Sequence, residues 1–227
     1  MGLLITFRML NSKHVEQKQE MSEDKFDFAD NDNDFELITN SMIADEKYKS
    51  CINVCHGMIY SKTNTIVLNT FNARAFILMQ LRFDGYFGFP GGVVDPGEDV
   101  TTALNRELSE EVGLTSVKFE EKDKVFMHYN HRKSLVLHFY AKEVSNETFE
   151  EIELGALKAS DYGNEVLGIL RVPLYTMNDG FRGFPAFLKN KFIGNSRNQL
   201  LECLKKLNLM SLEEIDKALS GKPLYLQ

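Results

Sequence analysis

Apolar and polar positions alternate with two different periods along this chain. From Ile52 to Tyr60 the period is the two residues of a strand, and Thr63-Asn64 can turn the chain into a second extended stretch, Thr65 to Asn69. Ala75 to Arg82 is an apolar run of the length a buried strand takes. Between Val100 and Val112 the period changes. Val100, Leu104, Leu108 and Val112 fall on one stripe when residues are spaced at about 100°. Asp99 or Thr101 can cap the start of this helix, and Gly113 stands where a left-handed residue ends one. Leu135 to Lys142 and Val166 to Val172 predict two more strands, with Pro173 breaking the pattern. Helices are expected over Pro185 to Asn190 and Ser196 to Asn208. Strand and helix signals alternate as in a mixed α/β fold, with no internal repeat and no sign of a second folded domain.

The helix over 100–112 carries the unusual chemistry. Glu107 and Glu111 fall inside its apolar stripe and Glu110 at the edge, whereas Thr102, Arg106 and Ser109 lie opposite. An ordinary solvated charge run would put the glutamates on the other side. A carboxylate turned toward a core needs a proton, a cation or a metal. Like charges at i, i+3 and i+4 also repel unless something neutralises them. Ahead of the helix, Gly91 and Gly92 follow Pro90, where backbone can pass close to a ligand or metal or simply turn tightly. Oxygen-only ligand sets suit Mg²⁺ or Mn²⁺, the usual partners of phosphate chemistry.

Composition adds boundaries. At 227 residues and 43% hydrophobic content the chain can bury one good core. No apolar run approaches the ~18 residues of a membrane span, and the first seven residues read as an ordinary terminus rather than a secretory leader. The net charge of −7 is uneven: residues 1–45 hold 4 Lys/Arg and 10 Asp/Glu, leaving the remainder near neutral. Between Glu16 and Glu36 stand nine carboxylates against two lysines, so 1–45 is expected to be a disordered acidic tail and 46–227 the folded domain. Cys51, Cys55 and Cys203 make an odd count without zinc spacing, which suits reduced thiols.

Gly92-x5-Glu98-x7-Arg106-Glu107-Leu108-x-Glu110-Glu111-x-Gly113-Leu114 satisfies every fixed position of the Nudix box, G-x5-E-x7-R-E-U-x-E-E-x-G-U, where U is a bulky aliphatic. The flanks, among them Ala75 to Gly85, Gly88-Phe89-Pro90-Gly91-Gly92, His138 to Lys142, Arg171 to Tyr175 and Phe192-Ile193-Gly194, resemble the snoRNA-decapping, inosine-diphosphatase branch of the Nudix hydrolases. The similarity runs from about Cys55 to about Leu207. One departure is visible: vertebrate members of the branch carry an extra residue in the loop before the helix, and this chain keeps the standard spacing to Glu98.

The resemblance implies an α/β/α sandwich with a mixed sheet and the box as loop–helix–loop. It implies Mg²⁺ or Mn²⁺ held by the Gly91 carbonyl, Glu107 and Glu111, with His128 approaching the metals or a phosphate. Glu110 becomes the general base, Glu98 an accessory ligand, and Arg106 a residue that points away from the metal side and orients glutamates. His56, Arg82, Phe89 and Gln199 fall at substrate positions. Each has a plainer explanation: a core histidine for His56, core packing for Phe89, a capping box Ser196-x-x-Gln199 for Gln199, and a solvated polar loop for His128. Arg82, ending an apolar strand, would need a partner such as phosphate. The activity implied is phosphoanhydride cleavage in inosine-type diphosphates or in 7-methylguanosine-capped small nucleolar RNA. ADP-ribose or dinucleotide pyrophosphatase activity and a catalytically weak RNA cap-binding module are the alternatives. A homodimer in the nucleus, nucleolus included, and in the cytoplasm completes the expectation.

Overall fold

The computed structural model describes residues 34–223. In chain order the elements are β1 (Phe35–Ile38), α1 (Glu46–Lys49), β2 (Ile52–Lys62), β3 (Ile66–Val67), β4 (Phe71–Asn72), β5 (Ala75–Arg82), β6 (Phe87–Gly88), β7 (Gly91–Val93), α2 (Val100–Val112), β8 (Lys124–Asn130), β9 (Leu135–Glu143), α3 (Asn146–Ala156), β10 (Val166–Arg171), α4 (Phe184–Phe187), α5 (Ser196–Lys206) and α6 (Leu212–Ser220). The main sheet runs β1-β8-β9-β2-β5-β10, with β6 paired to β5 and β7 to β2. β2 and β9 are parallel and the other pairs antiparallel, so the sheet is mixed.

Alternation along the central strands divides two cores. Cys55, Ile59, Leu78 and Tyr140 face α2 and α3, where Leu104, Leu108, Val112, Phe149 and Ile152 cover them. Met58, Tyr60, Ile77, Met79 and Phe139 face the other way, under α4, α5 and α6. Two helical layers therefore enclose one sheet, the sandwich expected. Fully burying Leu104, Leu108 and Val112 supplies about 1.5–3 kcal/mol each, which fixes which side of α2 faces in. Asp99 caps that helix, accepting from the N–H groups of Thr101 at 2.9 Å and Thr102 at 3.2 Å, and Gly113 ends it in the left-handed conformation at φ 66°.

Several expectations need correction. The tail boundary at 45 falls too late, because Phe35–Ile38 forms the edge strand β1, in register with Met127–Asn130 of β8. Ile38 is 3% exposed among Tyr48, Cys51, Met127 and Val136, and Asp34 pairs with Arg132 at 3.2 Å. The acidic composition concealed a short apolar strand that is stable only because a partner lies far along the chain. Residues 1–33 lie outside the described residues. His128 was expected in a polar loop, yet it sits mid-strand in β8, held between Leu37 and Leu137. The extended stretch from Thr65 shrinks to Ile66–Val67, since Leu68 and Asn69 take left-handed backbone. The helix from Pro185 is the single turn Phe184–Phe187. α3 and α6 were not expected, although Ser145 caps one and a Ser211–Glu214 capping box opens the other.

Candidate functional site

The site begins with two glycines. β7 runs antiparallel to β2, pairing Gly91 with His56 and Gly92 with Cys55. Gly91 has φ 138°, and a Cβ there would lie 2.1 Å from the Cys55 carbonyl oxygen. A Cβ on Gly92 would meet both oxygens of the Glu107 carboxyl at 2.8 Å. The bare backbone of Gly91 lets the strand lie tight on β2, and that of Gly92 leaves room for the Glu107 carboxyl of α2.

That close approach seats the carboxylates. Glu107 is 3% and Glu111 1% exposed, and the Gly91 N–H donates to Glu111 Oε2 at 2.7 Å. Burial pushes the Glu111 carboxyl up to about 8, and the neighbouring Glu107 adds to the rise. The Gly91 N–H, Arg82 and Gln80 pull the other way. Without a cation, Glu111 therefore keeps its proton at neutral pH. Glu110, one step round the helix, remains partly exposed.

Arg106 binds this group together, and its predicted direction needs revising. Its Cα lies on the outer face of α2, but the side chain folds back across the acidic cluster. Nε and Nη2 donate to the two Glu98 oxygens at 3.1 and 2.9 Å, and Nη1 donates to Glu107 Oε1 at 2.8 Å and Glu110 Oε2 at 3.4 Å. Nη2 also reaches the Val93 carbonyl at 3.3 Å. Helical phase locates a Cβ and says little about a guanidinium several bonds away. The expected orienting role fits this geometry. The hydrogen bonds that Arg106 donates to Glu98, and then to Glu107, hold the guanidinium proton more tightly than usual.

The predicted substrate residues divide between the two faces. Arg82 stands close enough to both Glu111 and His56 to shift each. Its need for a partner is met within the protein, since Asp84 Oδ2 accepts from Nε at 3.1 Å and Nη2 at 3.0 Å. His56 is partly reached by solvent but its Nδ1 is sealed and unpaired, so desolvation, then Arg82, lowers the ring to about 4. Phe89 is buried edge-on to Phe139 at 4.9 Å, a core position. His128 lies beyond, its ring 5.1 Å from Phe126 with Nδ1 unpaired, and burial lowers its proton affinity while Glu202 opposes. Gln199 is 1% exposed and neither amide atom has a partner. The capping box proposed for it does not form: Asn195 holds the cap position without a side-chain bond, and Ser196 is already helical. The plain explanation for a glutamine at 199 therefore fails.

The fit to a divalent cation can be tested on this donor set. Among the described residues no three His, Cys, Asp or Glu side chains converge into a cage. Glu107 and Glu111 instead place two buried carboxyl groups side by side next to backbone at Gly91. A hard cation that keeps several waters and takes one or two carboxylates suits such a set, and a zinc-type cage does not.

A sequence profile described as Nudt16-like, U8 snoRNA-decapping enzyme-like, matches residues 53–210. The chain belongs to that family. U8 snoRNA-decapping enzymes from Homalodisca vitripennis and Bos taurus are 49% and 45% identical to it over 157 and 159 residues, 68% and 69% of this chain and 84% and 82% of theirs. The Tudor-interacting repair regulator protein of Homo sapiens is 40% identical over 171 residues, 74% of this chain and 79% of that one. Among solved structures, the Nudix domain of Shewanella oneidensis NrtR aligns with TM-score 0.46 and 14% identity, covering 75% of this chain and 99% of that one. This Nudt16-like chain is a Nudix hydrolase with an intact box.

The Nudt16-like site holds one side chain that the sequence reading passed over. Gln80 lies beside Glu111, fully buried in the apolar run of β5. A polar residue in such a run was the available signal.

Proposed function

We propose that this protein is a metal-dependent hydrolase of phosphoanhydride bonds, acting on 7-methylguanosine-capped RNA of the small nucleolar class and on inosine-type nucleoside diphosphates. The observation that carries the reading is the buried pair Glu107 and Glu111, pressed against the Gly91-Gly92 strand with Arg106 holding Glu98 and Glu110 around them. Relatives named U8 snoRNA-decapping enzymes, aligned over more than four-fifths of their length, support the RNA substrate.

Glu107, Glu111 and the Gly91 carbonyl would hold Mg²⁺ or Mn²⁺, which supplies charge neutralisation and an acidified water at the phosphate. Glu110, partly exposed at the rim, takes the proton from the attacking water. Arg106 fixes Glu110 relative to Glu107, so base and ligands move as one unit. Arg82 lies near enough to both Glu111 and His56 to shift each, so it could meet a phosphate joining the reacting centre to a nucleoside. His56 Nδ1 and the Gln199 amide are buried polar groups awaiting a partner, and a purine edge would provide one. Hypoxanthine offers a carbonyl acceptor at position 6 where adenine offers a donor. His128, whose Nδ1 is buried without a partner, is assigned to the phosphate side of the site.

A relative named as a Tudor-interacting repair regulator brings in a binding function as a second reading. Retention of Glu107, Glu110 and Glu111 favours the enzyme here. We further propose a homodimer, to be checked by sedimentation, and residence in the nucleus, nucleolus and cytoplasm, to be checked by imaging a tagged chain. No helix among the described residues is long and apolar enough to cross a membrane. The deciding assay is product analysis on capped RNA, inosine diphosphate, inosine triphosphate and ADP-ribose, with Mg²⁺, with Mn²⁺ and with neither. Release of 7-methylguanosine diphosphate and 5′-monophosphate RNA is expected. Cleavage of ADP-ribose alone would replace the substrate assignment, and no turnover with either metal would favour the binding module.

A further inference from the structure

The residue that the proposed chemistry leaves unused is Gln80. On β5, Phe76 and Leu78 face the core under α2 and α3, and Gln80 follows them onto the same face. The strand is interior at this point, with Gln80 in register with Ile169 of β10 on one side and Gly88 of β6 on the other. Its backbone therefore asks nothing of the side chain, and an apolar residue would pack there as Leu78 does. Instead a glutamine is 0% exposed, and neither Oε1 nor Nε2 has a hydrogen-bond partner. A buried, unpaired amide destabilises a fold, and a chain keeps one only where something else requires it.

The amide is aimed at the site. It lies within electrostatic reach of the Glu111 carboxyl without closing a well-formed hydrogen bond. Glu111 is already engaged on one side, where Oε2 accepts from the Gly91 N–H at 2.7 Å. Arg82, two residues on and on the same strand face, approaches Glu111 as well but is occupied by Asp84. Gln80 is thus a neutral donor beside this carboxylate, near enough to favour its charged form yet short of full hydrogen-bond geometry.

We propose that Gln80 is a positioning residue: its Nε2–H closes onto the Glu111 carboxylate when a divalent cation binds, fixing the orientation in which Glu111 meets the metal. The inference rests on the reading of Glu111 as a ligand. Groups that hydrogen-bond to a metal's ligands set ligand orientation, and removing one commonly costs ten- to a hundredfold in metal affinity.

The test replaces the amide with an apolar side chain of similar length in the full chain, Gln80→Met, with Gln80→Leu as a second variant. Two quantities are read: the thermal midpoint of the metal-free protein and the dissociation constant for Mn²⁺ alone by calorimetry. We expect the midpoint to rise by about 2–4 °C, because an unsatisfied buried amide is gone. We expect Mn²⁺ affinity to fall by about 10–100-fold. A structural glutamine would give the opposite stability change, so a lower midpoint in both variants overturns the proposal, as does an unchanged Mn²⁺ affinity. Glu111→Gln, measured in parallel, separates the two ideas: wild-type Mn²⁺ affinity in that variant removes Glu111 as a ligand, whatever Gln80 does.

Discussion

Replacing Ile38 by alanine tests whether the edge strand belongs to the folded domain. The side chain is 3% exposed and packs with Tyr48, Cys51, Met127 and Val136, with Met42, Ile43 and Tyr129 closing over them. Truncating a buried isoleucine to alanine costs about 2–5 kcal/mol, depending on how far the surroundings collapse. This cluster is small and lies under a sheet edge, where collapse is easy, so the lower end applies: about 2–3 kcal/mol. For a domain of this size each kcal/mol moves the thermal midpoint by about 2–4 °C, which makes a fall of roughly 4–12 °C. The assay is urea unfolding together with a thermal scan, compared with deletion of residues 1–33. That deletion should shift neither curve appreciably, because the segment is acidic and poor in core residues. A loss below about 0.5 kcal/mol for Ile38→Ala, of the order of a neutral surface change, would refute the packing of β1 and restore the boundary at residue 45.

Glu110→Gln should lower kcat by about 10²-fold or more in a folded protein, and near-wild-type turnover would remove Glu110 as the base. His56→Ala or Gln199→Ala should cut the preference for inosine diphosphate over ADP, measured as a ratio of kcat/KM, by about 1–3 kcal/mol; both rates falling equally would move the base pocket elsewhere. Arg74 holds the Glu214 carboxyl down at about 2, below its ordinary 4.5. A depressed carboxyl stabilises the fold above its unfolded pKa, so this contribution is present above pH 4.5 and disappears as pH falls toward 2. Both side chains are more than a third exposed, which limits the effect to about 1 kcal/mol. Arg74→Gln should flatten the acid limb of a stability–pH curve by that amount, and an unaltered limb would show that the pair contributes nothing.

What could be read from the sequence followed from periodicity and from residues that have few uses. The stripe on α2 and its two end signals located the helix and turned Glu107 and Glu111 inward, because phase alone determines which side a Cβ takes. The same reasoning sent Arg106 outward and missed its return, since a long flexible side chain is placed by its partners. β8 was hidden because His128, Tyr129 and Asn130 look like loop residues until β1 and β9 flank them. α3 and α6 are short amphipathic helices whose caps, Ser145 and Ser211, were legible but whose apolar stripes are brief. Gln80 was passed over because one polar residue does not interrupt a strand. Its meaning depends on what lies across from it, and only the fold supplies that.

The pairing of Phe35 with Asn130 also sets an order of events during synthesis. About 95 residues separate the two, so at roughly 5–20 residues per second the edge strand leaves the ribosome some 5–20 seconds before its partner exists. Throughout that interval an unpaired strand is open to association with other nascent chains. The nine carboxylates between Glu16 and Glu36 flank it and run through it, giving every copy the same charge. Like charge on every copy opposes that association until β8 arrives. Ribosome-stalled chains ending before Lys124 should leave Phe35 open to a protease, and chains extended well past Glu143 should protect it. Equal cleavage at both lengths would show that the strand finds no partner during synthesis.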